Sequence, residues 1–241
     1  SAPIGVAPMG GPSLVFPGAD QLLAAACQRA NLPYTLGLVG GMPAGRDLAE
    51  AGGVVLHAPE DVEVDLEGQV HDAQGRRTYV ERFIHSAIYK ARPDVMSVIH
   101  SHSPAVIPFG VTGARLRPIC HMSGFLGATT PVFDIRHSAG ESTDLLVSSQ
   151  ALGEALAKVL GPSNVALMRG HGSVTVGNSI KQAVFRGVYT ESNARLQAEA
   201  SRLGEITFLT EAEAKATSDM NDKHLDRPWE MWKRNAQNLS R

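Results

Sequence analysis

The chain has 241 residues, 43% of them hydrophobic and 19% charged, with a formal net charge of −2. This composition suits a globular core, excludes a collagen-like or highly charged disordered chain, and offers no strong field for nucleic acid or a membrane surface. Two cysteines, Cys27 and Cys120, without a CxxC pair exclude a disulfide scaffold and point to a reduced, cytoplasmic setting.

The first 45 residues stand apart. They hold two charged residues, Asp20 and Arg29, yet six of the 14 prolines and eight of the 24 glycines. All nine histidines follow, from His57 to His224. The early apolar run at 22–27 is too short to span a bilayer and has no charged region before it, so neither a membrane span nor a signal peptide is expected. Residues 3–8 read as a short strand, 20–30 as a helix and 32–39 as a second strand, with a glycine-rich stretch at 40–45.

Residues 62–66 and 69–70 flank Glu67-Gly68 as strand, turn and strand. Val80, Phe83, Ile84, Ala87 and Ile88 carry helical spacing, and Pro93 ends it. Residues 95–102 alternate as a strand. Ser103-Pro104 resembles an N-cap and first helical position, with Gly110 and Gly113 closing the element. Strands are expected at 116–120 and 131–135. Ser148 or Ser149 caps a helix carrying Leu152, Leu156 and Val159, closed by Gly161-Pro162. A strand at 165–168 runs into Arg169-Gly170-His171-Gly172, and a long helix follows from about 179 to 203, stopped by Gly204. The tail holds an apolar 206–209 segment, an acidic 211–215 helix and an amphipathic 229–239 segment. Mixed strands and helices predict an α/β layered fold.

His100 and His102, two apart on a strand, turn their imidazoles to one face. His171, at a strand end between glycines, is the best third partner. Three neutral imidazoles suit Zn²⁺ or Mn²⁺ and leave a position open for substrate. The competing reading is a solvated or hydrogen-bonded pair. Thr78-x-x-Glu81 matches a capping box, in which Glu81 bonds back to the Thr78 amide. Glu81 could instead be an acid/base or a further metal ligand, with His85 one turn on along the same face. His121 is either a satisfied core histidine or a proton donor. Arg115 and Arg117 either hold a substrate carboxylate bidentately or solvate a loop.

Taken together, Glu81-Arg82-Phe83-Ile84-His85, Ile99-His100-Ser101-His102 and Arg169-Gly170-His171-Gly172 with its long following helix resemble the class II aldolase/adducin family, over about residues 58–235. Residues 79–89, 103–109, 116–122 and 165–172 are similar to its decarboxylating branch, the 3-hydroxy-2-methylpyridine-4,5-dicarboxylate and dihydroxyphthalate-type decarboxylases. The resemblance implies a layered fold with a central, mostly antiparallel sheet flanked by helices. It implies a divalent metal, Zn or Mn, on His100, His102 and His171, with Glu81 beside it as acid/base or fourth ligand. It also implies a homotetramer or larger, with sites near subunit interfaces.

Retro-aldol cleavage and decarboxylation of a hydroxyaromatic acid share a chemistry. Each leaves electrons on a carbon beside an oxygen-bearing one; a metal stabilises that charge and an acid returns a proton. Glu81 and His121 are the candidates for the proton, and Arg117 and Ser101 for contact with a small carboxylate substrate. The alternatives are an aldolase or epimerase acting on a small sugar phosphate, and a non-catalytic adducin-like interaction module. No glycine-rich phosphate cradle is visible in residues 58–241, which speaks against the sugar phosphate.

The opening segment is different. The family usually opens with a helix and a Gly-Asn-x-Ser segment, and no Gly-Asn-x-Ser is found. Residues 3–10, 17–20 and 32–37 instead resemble one segment of the FMN-dependent α-hydroxy acid dehydrogenases. Some fifty residues cannot close an eight-stranded barrel, and the paired catalytic histidine and arginine of those enzymes have no counterpart here, so no flavin is expected. The expected organisation is an atypical segment at 1–57, joined near 45–57 as by fusion, truncation or recombination, and a metal-binding domain at 58–241.

Overall fold

The computed structural model describes residues 38–40, 53–56, 62–71 and 80–239. The strand expected at 3–8, the helix at 20–30, most of the strand at 32–39 and Thr78 lie outside the described residues.

The strands are β1 (Leu38–Gly40), β2 (Gly53–Leu56), β3 (Val62–Asp65), β4 (Val70–His71), β5 (Ser97–Ser101), β6 (Val132–Phe133), β7 (Val165–Met168) and β8 (Gly172–Gly177). The helices are α1 (Arg82–Ala91), α2 (Ile107–Val111), α3 (Arg136–Ala139), α4 (Gln150–Leu160), α5 (Ile180–Leu203), α6 (Glu211–Asn221) and α7 (Asp226–Leu239), and a 3-10 helix spans His121–Leu126. A five-stranded sheet runs β1-β5-β8-β7-β6, antiparallel except for the parallel β6–β7 pair. A smaller sheet runs β2-β3-β4. The expected central, mostly antiparallel sheet between helices is present. No helix among the described residues is long and apolar enough to cross a membrane.

Strand alternation sorts the core into two layers. Val98 of β5, Ala166 and Met168 of β7, and Val174 and Val176 of β8 face one way, against Ile84, Ala87 and Ile88 of α1 and Leu156, Ala157 and Leu160 of α4. Val165 and Leu167 face the other way, with Phe109, Leu116, Phe125, Leu126 and Phe185. Ile84 and Ile88 are fully buried, and each contributes about 1.5–3 kcal/mol. The Ser149 side chain accepts from Leu152 N and starts α4; that of Ser179 accepts from Gln182 N and starts α5. Gly68, at φ 75°, makes the turn between β3 and β4, and its carbonyl accepts from Arg82 Nε at 2.8 Å, tying the small sheet to α1.

Among the elements that differ from expectation, three bear on how the sheet and α5 are joined. Ser103 caps a turn rather than a helix: its Oγ and carbonyl both accept from Val106 N, and α2 begins at Ile107. Residues 116–120 form no strand. Carboxamides one turn apart on α5 bond one side of the segment: Gln197 bonds Arg117 N and Arg115 O, and Asn193 bonds Ile119 N and Arg117 O, while Leu116 O and Pro118 O accept from Thr130 N and Leu209 N. A helix side therefore does what a neighbouring strand would do, satisfying alternate residues of an extended chain. Strand β8 was not anticipated between the glycine turn and α5, although Val174 and Val176 alternate with Ser173 and Thr175; all six of its residues are buried.

α1 and α4 meet closely because Gly153 has no side chain. A Cβ there would run into the Phe83 carbonyl and the Ala87 methyl. Gly153→Ala should therefore destabilise the protein by about 1–3 kcal/mol, through overpacking that outweighs the better helix propensity. Urea denaturation measures it; an unchanged or raised midpoint would show that the helices can separate freely.

Candidate metal centre

Two strand pairings assemble the centre. β5 and β8 pair antiparallel with His100 opposite Val174 and Ser101 opposite Ser173. Carried one step on, this register sets His102 beside Gly172 and the β7–β8 turn. Residues 169–171 form that turn, with Gly170 at φ 68° and His171 N donating to Met168 O. Gly172 makes the approach possible, since a Cβ on it would collide with the Ser101 carbonyl. His171 is thus delivered to His102 across 69 positions of sequence.

Nε2 of His102 lies 2.9 Å from Nε2 of His100 and 2.8 Å from Nε2 of His171. Glu81 Oε2 lies 3.3 Å from His100 Nε2 and 3.5 Å from His171 Nε2. One donor atom from each of these four side chains falls within 4.8 Å of all the others. Glu81 and His100 are buried, and His171 exposes only 8% of its side chain.

The backbone sets the chemistry of the rings. His171 Nδ1 contacts Leu145 O at 2.8 Å, and His100 Nδ1 contacts Ser173 O at 3.2 Å. A carbonyl only accepts, so each Nδ1 carries the proton and each neutral ring presents a bare lone pair at Nε2. Those lone pairs point at each other's neighbours and at a carboxylate. A single proton on His102 Nε2 serves one neighbour and leaves the other pair lone pair to lone pair. Tetrahedral donors about 2.0–2.1 Å from a zinc ion stand ~3.3 Å apart, which matches the 3.3 and 3.5 Å from the rings to Glu81 and is wider than the 2.8–2.9 Å between the nitrogens. The donor set therefore fits a divalent cation of the zinc or manganese type.

Glu81 is the residue immediately before α1, and Thr78, the other half of the expected capping box, lies outside the described residues. Its Oε1 accepts from Val147 N at 3.2 Å, while Oε2 faces the histidines. Burial raises its pKa, but hydrogen bonds and charge attraction from His100 and His171 in their protonated state outweigh that and hold the carboxyl well below the usual range. Burial, then the charges of His100 and His171, push His102 down to about 4. For His171 burial acts downward, and Glu81 more than reverses it.

None of the other expected site residues is among the four converging side chains. Ser101 is buried between the two histidines, and strand alternation turns its side chain to the opposite face from His100. His121 is exposed at the start of the 3-10 helix, and its carbonyl accepts from Asn221 Nδ2. Arg117 stacks its guanidinium over Phe208 at 4.1 Å, in a cavity of about 960 Å³ that Arg115, Arg195 and Phe109 also line and that none of the four converging side chains enters. The backbone groups of Leu145, Val147 and Ser173 were missed altogether. A carbonyl or amide leaves no mark in a sequence, and Thr143-Asp144, a turn-forming pair, was the one available hint.

Residues 55–198 match the family described as the Class II Aldolase and Adducin N-terminal domain. The chain is 39% identical over 201 residues to Decarboxylase tropJ of Talaromyces stipitatus, covering 72% of this chain and 76% of that one. It is 30% identical over 128 residues to a 3,4-dihydroxyphthalate decarboxylase of Arthrobacter keyseri, covering 50% of this chain and about half, 48%, of that protein's length. Among solved structures, an L-fuculose 1-phosphate aldolase superposes with a TM-score of 0.61 at 16% identity, over 90% of this chain and 100% of that one, a likeness of fold.

His85 is 1% exposed, and its pKa is pushed down to about 3 by burial and then by His100, against Glu81. Unfolded chain takes up a proton as pH falls through about 6.5, whereas folded His85 does not until about 3, so acid favours the unfolded state between those values. In chelator-treated protein, stability should fall from pH 7 to pH 5 by about 1–2 kcal/mol more in wild type than in His85→Leu. Parallel urea curves at the two pH values would contradict this.

Proposed function

From the premise that this chain belongs to the class II aldolase and adducin family, we propose that it is a divalent-metal-dependent lyase that decarboxylates a hydroxylated aromatic or pyridine dicarboxylate. The observation that carries the metal is the convergence of three Nε2 atoms and one carboxylate oxygen, with two of the rings locked lone-pair-inward by backbone carbonyls. The decarboxylases among its relatives favour loss of CO₂ over aldol cleavage.

On this reading His100, His102 and His171 hold the ion and Glu81 is its fourth ligand. A Zn²⁺ or Mn²⁺ ion bound there supplies Lewis-acid stabilisation of the negative charge left when CO₂ departs. The chain's own groups do the rest. The two backbone carbonyls hold the ring proton of His100 and of His171 on Nδ1, so that Nε2 is the ligand atom. Val147 N holds one oxygen of Glu81 and directs the other inward. An acid held ionised is a poor proton donor, which leaves His121 as the candidate for returning a proton to carbon.

The test is CO₂ release from 3,4-dihydroxyphthalate and from a hydroxypyridine dicarboxylate. Release should stop on chelation and return with Zn²⁺ or Mn²⁺. Metal analysis should find the ion in wild type and not in the His100→Ala, His102→Ala double variant; equal loading would refute the site. His121→Asn should lower kcat by about 10²–10⁴-fold with metal content unchanged. Aldehyde from a sugar phosphate, without CO₂ from any acid, would make the protein an aldolase instead.

A further inference from the structure

Resting on that metal-site reading, we infer that the 143–147 loop is the element that positions the centre, and that Leu145 is its positioning residue through its left-handed backbone. Leu145 stands at φ 68° and is the only non-glycine with positive φ among the described residues. That conformation is unfavourable for an L-residue, and leucine has no side-chain oxygen to offset it locally. Strain of this kind persists where its surroundings over-determine it.

The surroundings do so here. Leu145 N donates to Thr143 Oγ1 at 3.1 Å, Leu146 N to Asp144 Oδ1 at 3.0 Å, and Ser148 N to Leu146 O at 3.0 Å. Val147 is fully buried in the core between the sheet and α1 and α4, and the Leu145 side chain packs against that core. A Cβ on Gly170 would lie 3.4 Å from Leu145 Cδ1, so the leucine also rests on the turn that carries His171.

From this braced loop two backbone groups reach the centre. Leu145 O accepts the His171 Nδ1 proton at 2.8 Å, and Val147 N donates to Glu81 Oε1 at 3.2 Å. Five residues thus set the ring tautomer of one converging group and the rotation of another, on two elements that do not otherwise pair. If Leu145 relaxed to an extended conformation, its carbonyl would swing away from His171 and free the ring to place its proton on Nε2, where the ion would sit.

Two substitutions separate this role from packing. Leu145→Ile keeps the volume and apolar character but puts a β-branched residue where positive φ is worst tolerated; Leu145→Asn loses the apolar contact and tolerates that φ well. The readouts are the dissociation constant for Zn²⁺ or Mn²⁺ and the ring-nitrogen NMR signature of His171 in chelated protein at alkaline pH. The Ile variant should bind metal about 10–100-fold more weakly and lose the Nδ1-protonated signature, while the Asn variant keeps both near wild type. Thr143→Val, which removes the brace from outside the site, should move both readouts in the Ile direction. An Ile variant like wild type, or an Asn variant as impaired as Ile, overturns the inference. Wild type that binds neither ion refutes the metal reading alone, because the NMR signature still decides the role of Leu145.

Discussion

The pairing of β5 with β8 is the constraint from which the centre follows. Its register sets the end of one strand against the turn that opens the other. Gly172 lets the two backbones come together where any side chain would strike the Ser101 carbonyl. Histidines 69 positions apart become neighbours, and both faces of these strands are covered by helices. The centre therefore sits at the end of the buried sheet, with Glu81 and His100 buried and His102 and His171 partly buried, and burial strengthens the electrostatic contacts among them. Moving the register by one residue would turn His100 toward α5 and dissolve the group.

Convergence alone would be unstable, because acceptors facing acceptors repel. The backbone imposes it nonetheless: the carbonyls of Ser173 and Leu145 hold protons on the outer nitrogens and so keep the inner ones bare. Glu81 adds a negative charge to the same point. An assembly of this kind is a demand for positive charge, met by protons in acid and by a cation otherwise. This is why direct ligands and the groups behind them make one unit, as is general for histidine-rich metal sites.

Much of this was legible. The His-x-His spacing on a strand and the Gly-His-Gly at a turn identified the three imidazoles; helical spacing located α1 and α4, alternation located β5, an apolar run before Arg169-Gly170-His171-Gly172 located β7, and the Gly204 stop closed α5. Glu81 is ambiguous in sequence because a capping box and an inward carboxylate share a signature; its approach to His100 and His171 becomes visible only in three dimensions. The 116–120 segment was misread because alternation reports an extended chain without saying what bonds it. Arg117, His121 and Ser101 were chosen for chemical type, and type does not fix direction. Backbone contributions from Leu145, Val147 and Ser173 had no signal at all, since every residue carries the same amide.

The carboxamides of Asn193 and Gln197 show a dependence of another kind. Each gives a hydrogen to one backbone group and takes one from another, in the same place. The corresponding acids have almost the same shape but, once ionised, can only accept. Deamidation of Asn193 would therefore keep the bond from Ile119 N and turn the contact with Arg117 O into repulsion between two oxygens. The long helix holds its neighbouring segment by a chemistry that hydrolysis of one side-chain amide undoes, so the age of the molecule, as well as its sequence, bears on whether that segment stays in place.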